Sequence, residues 1–184
     1  FRHDYGGHVL NIAINYRTSA TLDGDLVVSP ENVPSHSSLG SSGALRVCEL
    51  AVCNPELIED RDKLIRDIHY LENHIIGNRA GTQDQAAAAY GGANLWWFGP
   101  GPIQTAEIKR EPIPRERAEH FEKRIALFYT DEQRLSSSIH DLVFGQRNYE
   151  RNIPRLKEMS DLFEEMPSNL TDESAMTEIL NRMW

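Results

Sequence analysis

The feature that most constrains this chain is a run of small residues, Pro34–Ala44, between an apolar segment and a helical one. Its glycines and serines let backbone N–H groups approach a polyanion closely. The helix expected over Ala44–Cys53 directs the positive end of its dipole at the same place. Ser41 and Ser42 add hydroxyls that can bind phosphate oxygen or Mg²⁺. The run predicts a phosphate site, although a flexible linker or a Ser-capped helix start explains it about equally well.

Composition narrows the classes of protein to which the chain can belong. Its 184 residues are 40% apolar and 26% charged, which is enough to bury a core. A net charge of −9 argues against a nucleic-acid or anionic-membrane partner, because both need a basic surface. No run approaches the roughly 20 apolar residues that a membrane helix needs. Cys48 and Cys53 are interpreted as reduced, buried thiols, which favours a cytoplasmic location.

Periodicity and turn residues predict a mixed set of strands and helices. Alternation predicts a strand over Val9–Thr21, followed after a turn by a short buried strand over Leu26–Val28. Apolar residues spaced four, three and four apart from Leu64 predict a helix that ends at Gly77. The remaining predicted elements are a helix over Asp84–Tyr90, strands over Ala93–Phe98, Ile103–Ile108 and Arg124–Thr130, a charged helix before the last strand, and three helices after Ser136 with breaks near Pro154 and Pro167. Because no regular strand–helix–strand rhythm is present, we expect the α+β class.

Two carboxylates flank the loop that follows the helix ending at Gly77. Glu72 lies near the end of that helix, and Asp84 begins the next one. A carboxylate is a hard oxygen ligand suited to Mg²⁺, and a second one nearby can orient a hydroxyl group and accept its proton. Each is also explained as an ordinary helix residue, Glu72 solvated and Asp84 facing the helix dipole. His69 and His74 adjoin Glu72, but no further His or Cys stands at the spacing of a zinc motif.

Together these residues resemble the GHMP small-molecule kinases. The segment Pro34–Leu45 is similar to the central phosphate loop of that family, which typically reads Pro, small residues, Gly-Leu-Gly-Ser-Ser and then Ala. The helix with Glu72, the segment Gly81–Gln85 and the Ala-rich stretch that ends at Gly92 look most like the heptose-phosphate kinases of the superfamily. The resemblance extends from Gly6 to about residue 130.

The resemblance implies a site and a fold. Asp84 would contact the attacking hydroxyl group, and Ser42 and Glu72 would bind Mg²⁺. The loop residues that would hold the ATP phosphates are Ser37, Ser38, Leu39, Gly40, Ser41, Ser42 and Gly43. The implied fold is GHMP-kinase-like with two lobes and the phosphate loop between a strand and a helix. Residues 1–130 would form the N-terminal ATP-binding and catalytic domain, and residues 131–184 would begin the helical C-terminal domain.

The function implied is transfer of the γ-phosphoryl group of ATP to a sugar hydroxyl group. The block from Gly81 to Gly92 favours the anomeric hydroxyl of a heptose 7-phosphate, for the synthesis of nucleotide-activated heptose. A kinase of galactose, fucose or a mevalonate-like alcohol stays open, as do a catalytically silent sugar or nucleotide sensor and a homodimeric state. The family's opening Gly-Gly-Gly-Thr-Asp segment and its C-terminal Gly-rich loop are not in the sequence, so we expect a chain that is incomplete at both ends.

Overall fold

The computed structural model describes residues 2–31, 39–78, 80–126, 128, 143 and 145–183. In chain order the elements are α1 (Arg2–Tyr5), β1 (Gly7–Ile12), β2 (Arg17–Asp23), β3 (Asp25–Glu31), α2 (Ser41–Cys53), a 3₁₀ turn (Pro55–Ile58), α3 (Arg61–Tyr70), a π-helical turn (Leu71–Ile76), α4 (Gln83–Tyr90), β4 (Ala93–Phe98), β5 (Ile108–Pro112), α5 (Arg115–Glu122), α6 (Gln146–Asn169) and α7 (Glu173–Met183). This mixture of helices and antiparallel strands confirms the α+β class.

The chain divides into two compact units. One comprises residues 1–12, 92–128 and 142–184, and the other comprises residues 13–91 and 129–141. The domain boundary that we expected at residue 130 falls among residues outside the described part, so it stays a prediction. The whole described segment from the small-residue loop to Asp84 lies within the second unit.

An antiparallel sheet in the order β1-β4-β5 forms the centre of the first unit. Leu10 and Ile12 on β1 pack against a cluster that joins the sheet to α6 and α7. The buried members of this cluster are Ala93, Ile113, Leu162, Met166, Leu170, Met176 and Ile179. The backbone N–H of His8 donates to Ser160 Oγ at 2.8 Å, which ties β1 to α6. Burial of apolar surface between sheet and helices stabilises this unit.

The second unit packs α2, α3 and α4 together beside the β2–β3 hairpin. Leu57, Leu64 and Ile68 form its buried cluster, on which Val47 and Leu50 of α2 and Ala89 of α4 also pack. The Cys48 thiol donates to the Thr18 carbonyl oxygen at 3.2 Å and so links α2 to β2. Both cysteines are free, but Cys53 is exposed as the last residue of α2, so the prediction that it is buried is wrong. In the part of the chain that is described, no helix is long and apolar enough to cross a membrane.

Three strand predictions differ from the structure. The segment expected as one strand over Val9–Thr21 forms β1 and β2, which belong to different sheets. Leu26 and Val27 are exposed, because β3 pairs with β2 in a two-stranded sheet. Ile103 lies in a turn rather than in a strand, because the N–H groups of the residues at 105 and 106 both donate to the carbonyl oxygen of Pro102. The chain becomes extended only at Ile108, where β5 begins.

The C-terminal helices also differ from the prediction. The breaks expected near Pro154 and Pro167 are absent, because α6 continues through both prolines. A proline inside a helix removes a backbone hydrogen bond, so the burial of Leu162 and Met166 on the same helix outweighs that loss. Residues 124–126 are not in a strand, whereas residues 127, 129–130 and the predicted start at Ser136 lie outside the described residues.

Candidate functional site

The described end of the small-residue loop leads directly into α2. Gly40 is the N-cap residue and has φ +72°, a left-handed conformation that glycine adopts without strain. The helix begins at Ser41, three residues before the predicted start, and no side chain caps it. The first N–H groups of a helix have no acceptor within the helix, and its dipole is positive at that end. This end of α2 can therefore bind an anion such as a phosphate group.

Asp84 packs directly against the two glycines at this end of α2. A Cβ atom placed on Gly40 would lie 3.2 Å from Asp84 Cγ and 3.4 Å from its Oδ1. A Cβ atom on Gly43 would lie 2.9 Å from Asp84 Cβ, 3.2 Å from the Asp84 carbonyl carbon and 3.2 Å from the Gln85 backbone nitrogen. Gly43 has no room for a side chain because the first turn of α4 approaches so closely, whereas Gly40 favours glycine chiefly because of its φ of +72°. The structure thus brings Asp84 to the predicted phosphate loop.

The Asp84 carboxylate has no hydrogen-bond donor among the described residues. The residue as a whole is solvent-exposed, but protein atoms crowd its carboxyl group on the side of Gly40. This partial loss of hydration raises the pKa of Asp84. A carboxylate that is accessible yet poorly hydrated, and that makes no hydrogen bond here, is available to accept a proton from a bound molecule.

Glu72 is a buried carboxylate on the π-helical turn. Its side chain is 4% exposed, and its Oε2 accepts a hydrogen bond from Gln85 Nε2. Burial raises the pKa of Glu72, while the Gln85 hydrogen bond and the positive charge of Arg46 act in the opposite direction. π-Helical turns inside helices occur frequently at functional sites. The sequence left two interpretations of Glu72, a metal ligand or a solvated helix residue. Its burial excludes the second.

Arg46 and Ser42 share one face of α2. They are four residues apart, so they lie one above the other on the helix surface. Arg46 Nη1 donates to Glu49 Oε2, and the same guanidinium group acts electrostatically on Glu72. Helix geometry therefore places the exposed Ser42 on the same side of α2 as Arg46.

The structure assembles part of the site that the sequence predicted. Gly40, Gly43 and Asp84 are in contact, and Asp84 interacts electrostatically with Glu72. Leu39 and Ser41 lie half-buried at the start of α2, while Ser37 and Ser38 lie outside the described residues. The roles of all these residues stay predictions.

Sequence reasoning missed two residues, Gln85 and Arg46. Gln85 follows Asp84 directly and is a polar residue that opens an Ala-rich helix. Arg46 stands one helical turn after Ser42. These spacings are visible in the sequence, but they do not show that both side chains converge on Glu72.

The donor set around Glu72 fits Mg²⁺. No three His, Cys, Asp or Glu side chains group into a metal centre within the described ranges. The Glu72 carboxylate and the Ser42 hydroxyl are hard oxygen donors, and Mg²⁺ is commonly held by one or two protein oxygens together with substrate phosphates. These residues suit a hard cation shared with a phosphate.

The contact between Gly43 and α4 leads to a prediction about stability. Gly43→Ala would place a methyl group against the main chain of residues 84 and 85, which cannot move without shifting α4. We expect a loss of about 1–3 kcal/mol in the free energy of unfolding, which exceeds the gain of up to roughly 1 kcal/mol from better helix propensity. Urea unfolding measures this loss in the free energy of unfolding. Gly81→Ala is the matched control, because a Cβ at Gly81 meets nothing within 4 Å. Equal stability of the two variants would contradict the close contact.

Comparison with known proteins relates this chain to one superfamily of kinases. Residues 9–92 match the family model described as the GHMP kinases N terminal domain. The fold is similar to the crystal structure of a D-glycero-D-manno-heptose 1-phosphate kinase from Bacteriodes thetaiotaomicron, with a TM-score of 0.70 and 17% identity over 100% of this chain and 71% of that chain. No curated protein sequence gives a significant match. Residues 9–92 therefore resemble the N-terminal domain of the GHMP kinases, and the chain as a whole has the fold of that heptose 1-phosphate kinase.

Proposed function

We propose that the protein is an ATP-dependent sugar kinase that phosphorylates the anomeric hydroxyl of a heptose 7-phosphate. The observation that carries this proposal is the Asp84 carboxyl group, which packs against Gly40 and Gly43 at the N-terminus of α2. The match to the GHMP kinase N-terminal domain supports the reaction class, and the structural similarity to a heptose 1-phosphate kinase supports a heptose as the substrate class. A cytoplasmic location and a homodimeric state stay predictions.

The N-terminus of α2 is proposed to bind the ATP phosphates. Its uncapped N–H groups and the positive end of its dipole face an anion, and its first turn contains no acidic residue that would repel one. Gly40 and Gly43 keep side chains out of this approach. Phosphoryl transfer requires chiefly positioning and neutralisation of charge from the protein, which this helix end can supply.

Asp84 is proposed to contact the acceptor hydroxyl group. Its carboxylate lies beside the proposed phosphate position and has no competing hydrogen-bond donor in the described part of the chain. Its raised pKa brings it nearer the range in which a carboxylate accepts a proton efficiently. An anomeric hydroxyl is more acidic than an ordinary alcohol, so a carboxylate is a sufficient base for this substrate class.

Glu72 and Ser42 are proposed to hold Mg²⁺. When bound, the cation would supply positive charge that offsets the negative charge of the phosphates. Glu72 would supply a buried carboxylate, and Ser42 would supply a neutral oxygen from the first turn of α2. Arg46 partly neutralises Glu72 but is also bonded to Glu49. The two carboxylates together carry more charge than the one guanidinium group, so the net charge of the three side chains is negative.

An assay of ADP release tests the function. The full chain with Mg²⁺ and ATP should release ADP when a heptose 7-phosphate is added, and more slowly or not at all with galactose, fucose or mevalonate. Release with galactose, fucose or mevalonate but not with a heptose 7-phosphate would show that the acceptor is one of those compounds instead. If none of these compounds stimulates release, while a sugar or nucleotide still binds by calorimetry, the protein is a sensor and the kinase proposal fails.

Asp84→Asn tests the role of the carboxylate in the acceptor site. The amide keeps the size of the side chain but cannot accept the proton, so we expect turnover to fall by roughly 10²-fold or more. Nucleotide binding should change little, because the N–H groups of α2 are intact. Steady-state kinetics and nucleotide titration measure the two effects. Asp67→Asn, on the exposed face of α3, is the control that should keep normal turnover. A near-normal rate for Asp84→Asn would remove Asp84 from the mechanism.

Glu72→Gln and Ser42→Ala test the proposed metal site. Each variant removes or weakens an oxygen ligand, so each should raise the Mg²⁺ concentration needed for half-maximal rate. Because both act through one ion, their effects should be non-additive in the double variant. Mg²⁺ titrations of the wild type, the single variants and the double variant measure this. An unchanged titration for Glu72→Gln would exclude Glu72 as a ligand.

A further inference from the structure

Gln85 is buried beside Glu72 but has no role in the proposed reaction. Its side chain is 3% exposed, and its Nε2 donates to Glu72 Oε2. Its Oε1 is also buried and has no hydrogen-bond partner among the residues that the structure describes. A buried amide with an unpaired oxygen costs free energy, and a hydrophobic residue would fill the same space without that cost. The amide therefore has a use other than packing.

The neighbouring residues Asp84 and Gln85 on α4 point their side chains in different directions. Side chains of consecutive helix residues point about 100° apart. Asp84 contacts Gly40 and Gly43, while Gln85 turns to Glu72. The Gln85 backbone nitrogen would lie 3.2 Å from a Cβ atom on Gly43, so its main chain is held against α2. The main chain of Gln85 is thus held against α2, and its side-chain amide is bonded to Glu72.

The Glu72 carboxylate needs such an anchor. It stands on a π-helical turn, where the hydrogen-bond pattern differs from that of an ordinary helix. Gln85 bonds one of its oxygens, and in the described part of the structure the other oxygen accepts no hydrogen bond. The torsion that rotates a Glu carboxylate is broad, so a single donor decides which way the group faces.

We propose that Gln85 is a positioning residue that fixes the Glu72 carboxylate and so presents its second oxygen to the cation. This inference rests on the proposed function, because the cation is the Mg²⁺ of the ATP complex. Residues that hold a metal ligand by hydrogen bonding typically contribute 10- to 100-fold to metal affinity. Gln85 belongs to that class of residue, since it bonds a ligand through its side chain and touches neither phosphate nor acceptor in the proposed site.

Gln85→Met is the variant that tests the proposal. Methionine has nearly the same length but cannot donate to Glu72. We expect binding of Mn²⁺, used as a paramagnetic probe for the Mg²⁺ site, to weaken about 10-fold in the presence of a non-hydrolysable ATP analogue. Electron paramagnetic resonance measures free and bound Mn²⁺. Binding of the analogue without a divalent cation should stay unchanged, which a merely structural defect in α4 would not allow.

Two further variants separate positioning from packing. Gln83→Met makes the same change two residues earlier on the exposed side of α4, and it should bind Mn²⁺ as the wild type does. Gln85→Met should cause no additional loss in a Glu72→Gln background, because the carboxylate that it positions is already gone. Gln85→Asn keeps an amide on a side chain that is one methylene shorter. It covers the case in which Gln85→Met does not fold, and its expected loss of Mn²⁺ affinity is smaller.

Several outcomes would overturn the inference. Unchanged Mn²⁺ affinity in Gln85→Met or Gln85→Asn would do so, as would an additive loss in the double variant. Failure of the kinase proposal is distinguishable from this. A wild-type protein that binds Mn²⁺ with the analogue but phosphorylates no sugar would overturn the sugar-kinase proposal and leave the Gln85 comparison valid. A wild-type protein that binds no cation with the analogue would overturn both.

Discussion

The site depends on one close contact, the packing of the first turn of α4 against Gly43 of α2. The absence of a side chain at Gly43 lets the Asp84 main chain approach to within contact distance of the helix. That approach carries Asp84 to the N-terminus of α2, and it carries Gln85 to Glu72. A small residue at one position thus determines where a carboxylate, an amide and a buried charge lie. The apolar cluster of Leu57, Leu64 and Ile68 supplies the burial that keeps these helices together.

Elements whose ends are marked by glycine residues could be predicted from the sequence. The helix from Asp84 to Tyr90 is rich in Ala and followed by two glycines, and the helix before it ends at Gly77 with φ +82°, as expected. Local signals of this kind determine where elements begin and end. The contact of Asp84 with the small-residue loop was predictable only through the resemblance to a kinase family, because no local pattern relates residues about 40 positions apart.

Features that depend on tertiary packing could not be predicted. Pro154 and Pro167 suggest helix breaks, but α6 continues through them because the helix buries one face. Leu26 and Val27 suggest a buried strand, yet the hairpin that contains them leaves both exposed. The bond between Gln85 and Glu72 joins residues 13 positions apart, and Glu72 lies on a π-helical turn. A periodicity of 3.6 residues does not indicate such a turn.

The π-helical turn also has a consequence for how the site tolerates insertions and deletions. Its bonds run from residue i to i+5, so it accommodates one residue more than the same stretch of α-helix. Ile75, which an unbroken α-helix would align with the buried Leu64 and Ile68, is instead 65% exposed. Loss of a single codon within Leu71–Ile76 would restore the regular repeat, and it would rotate the residues beyond it by about 100° relative to α3. The reading frame would survive, while the relation between Glu72 and the following loop would change. For this chain, then, the length of a helix is as much a determinant of the site as the identity of its carboxylates.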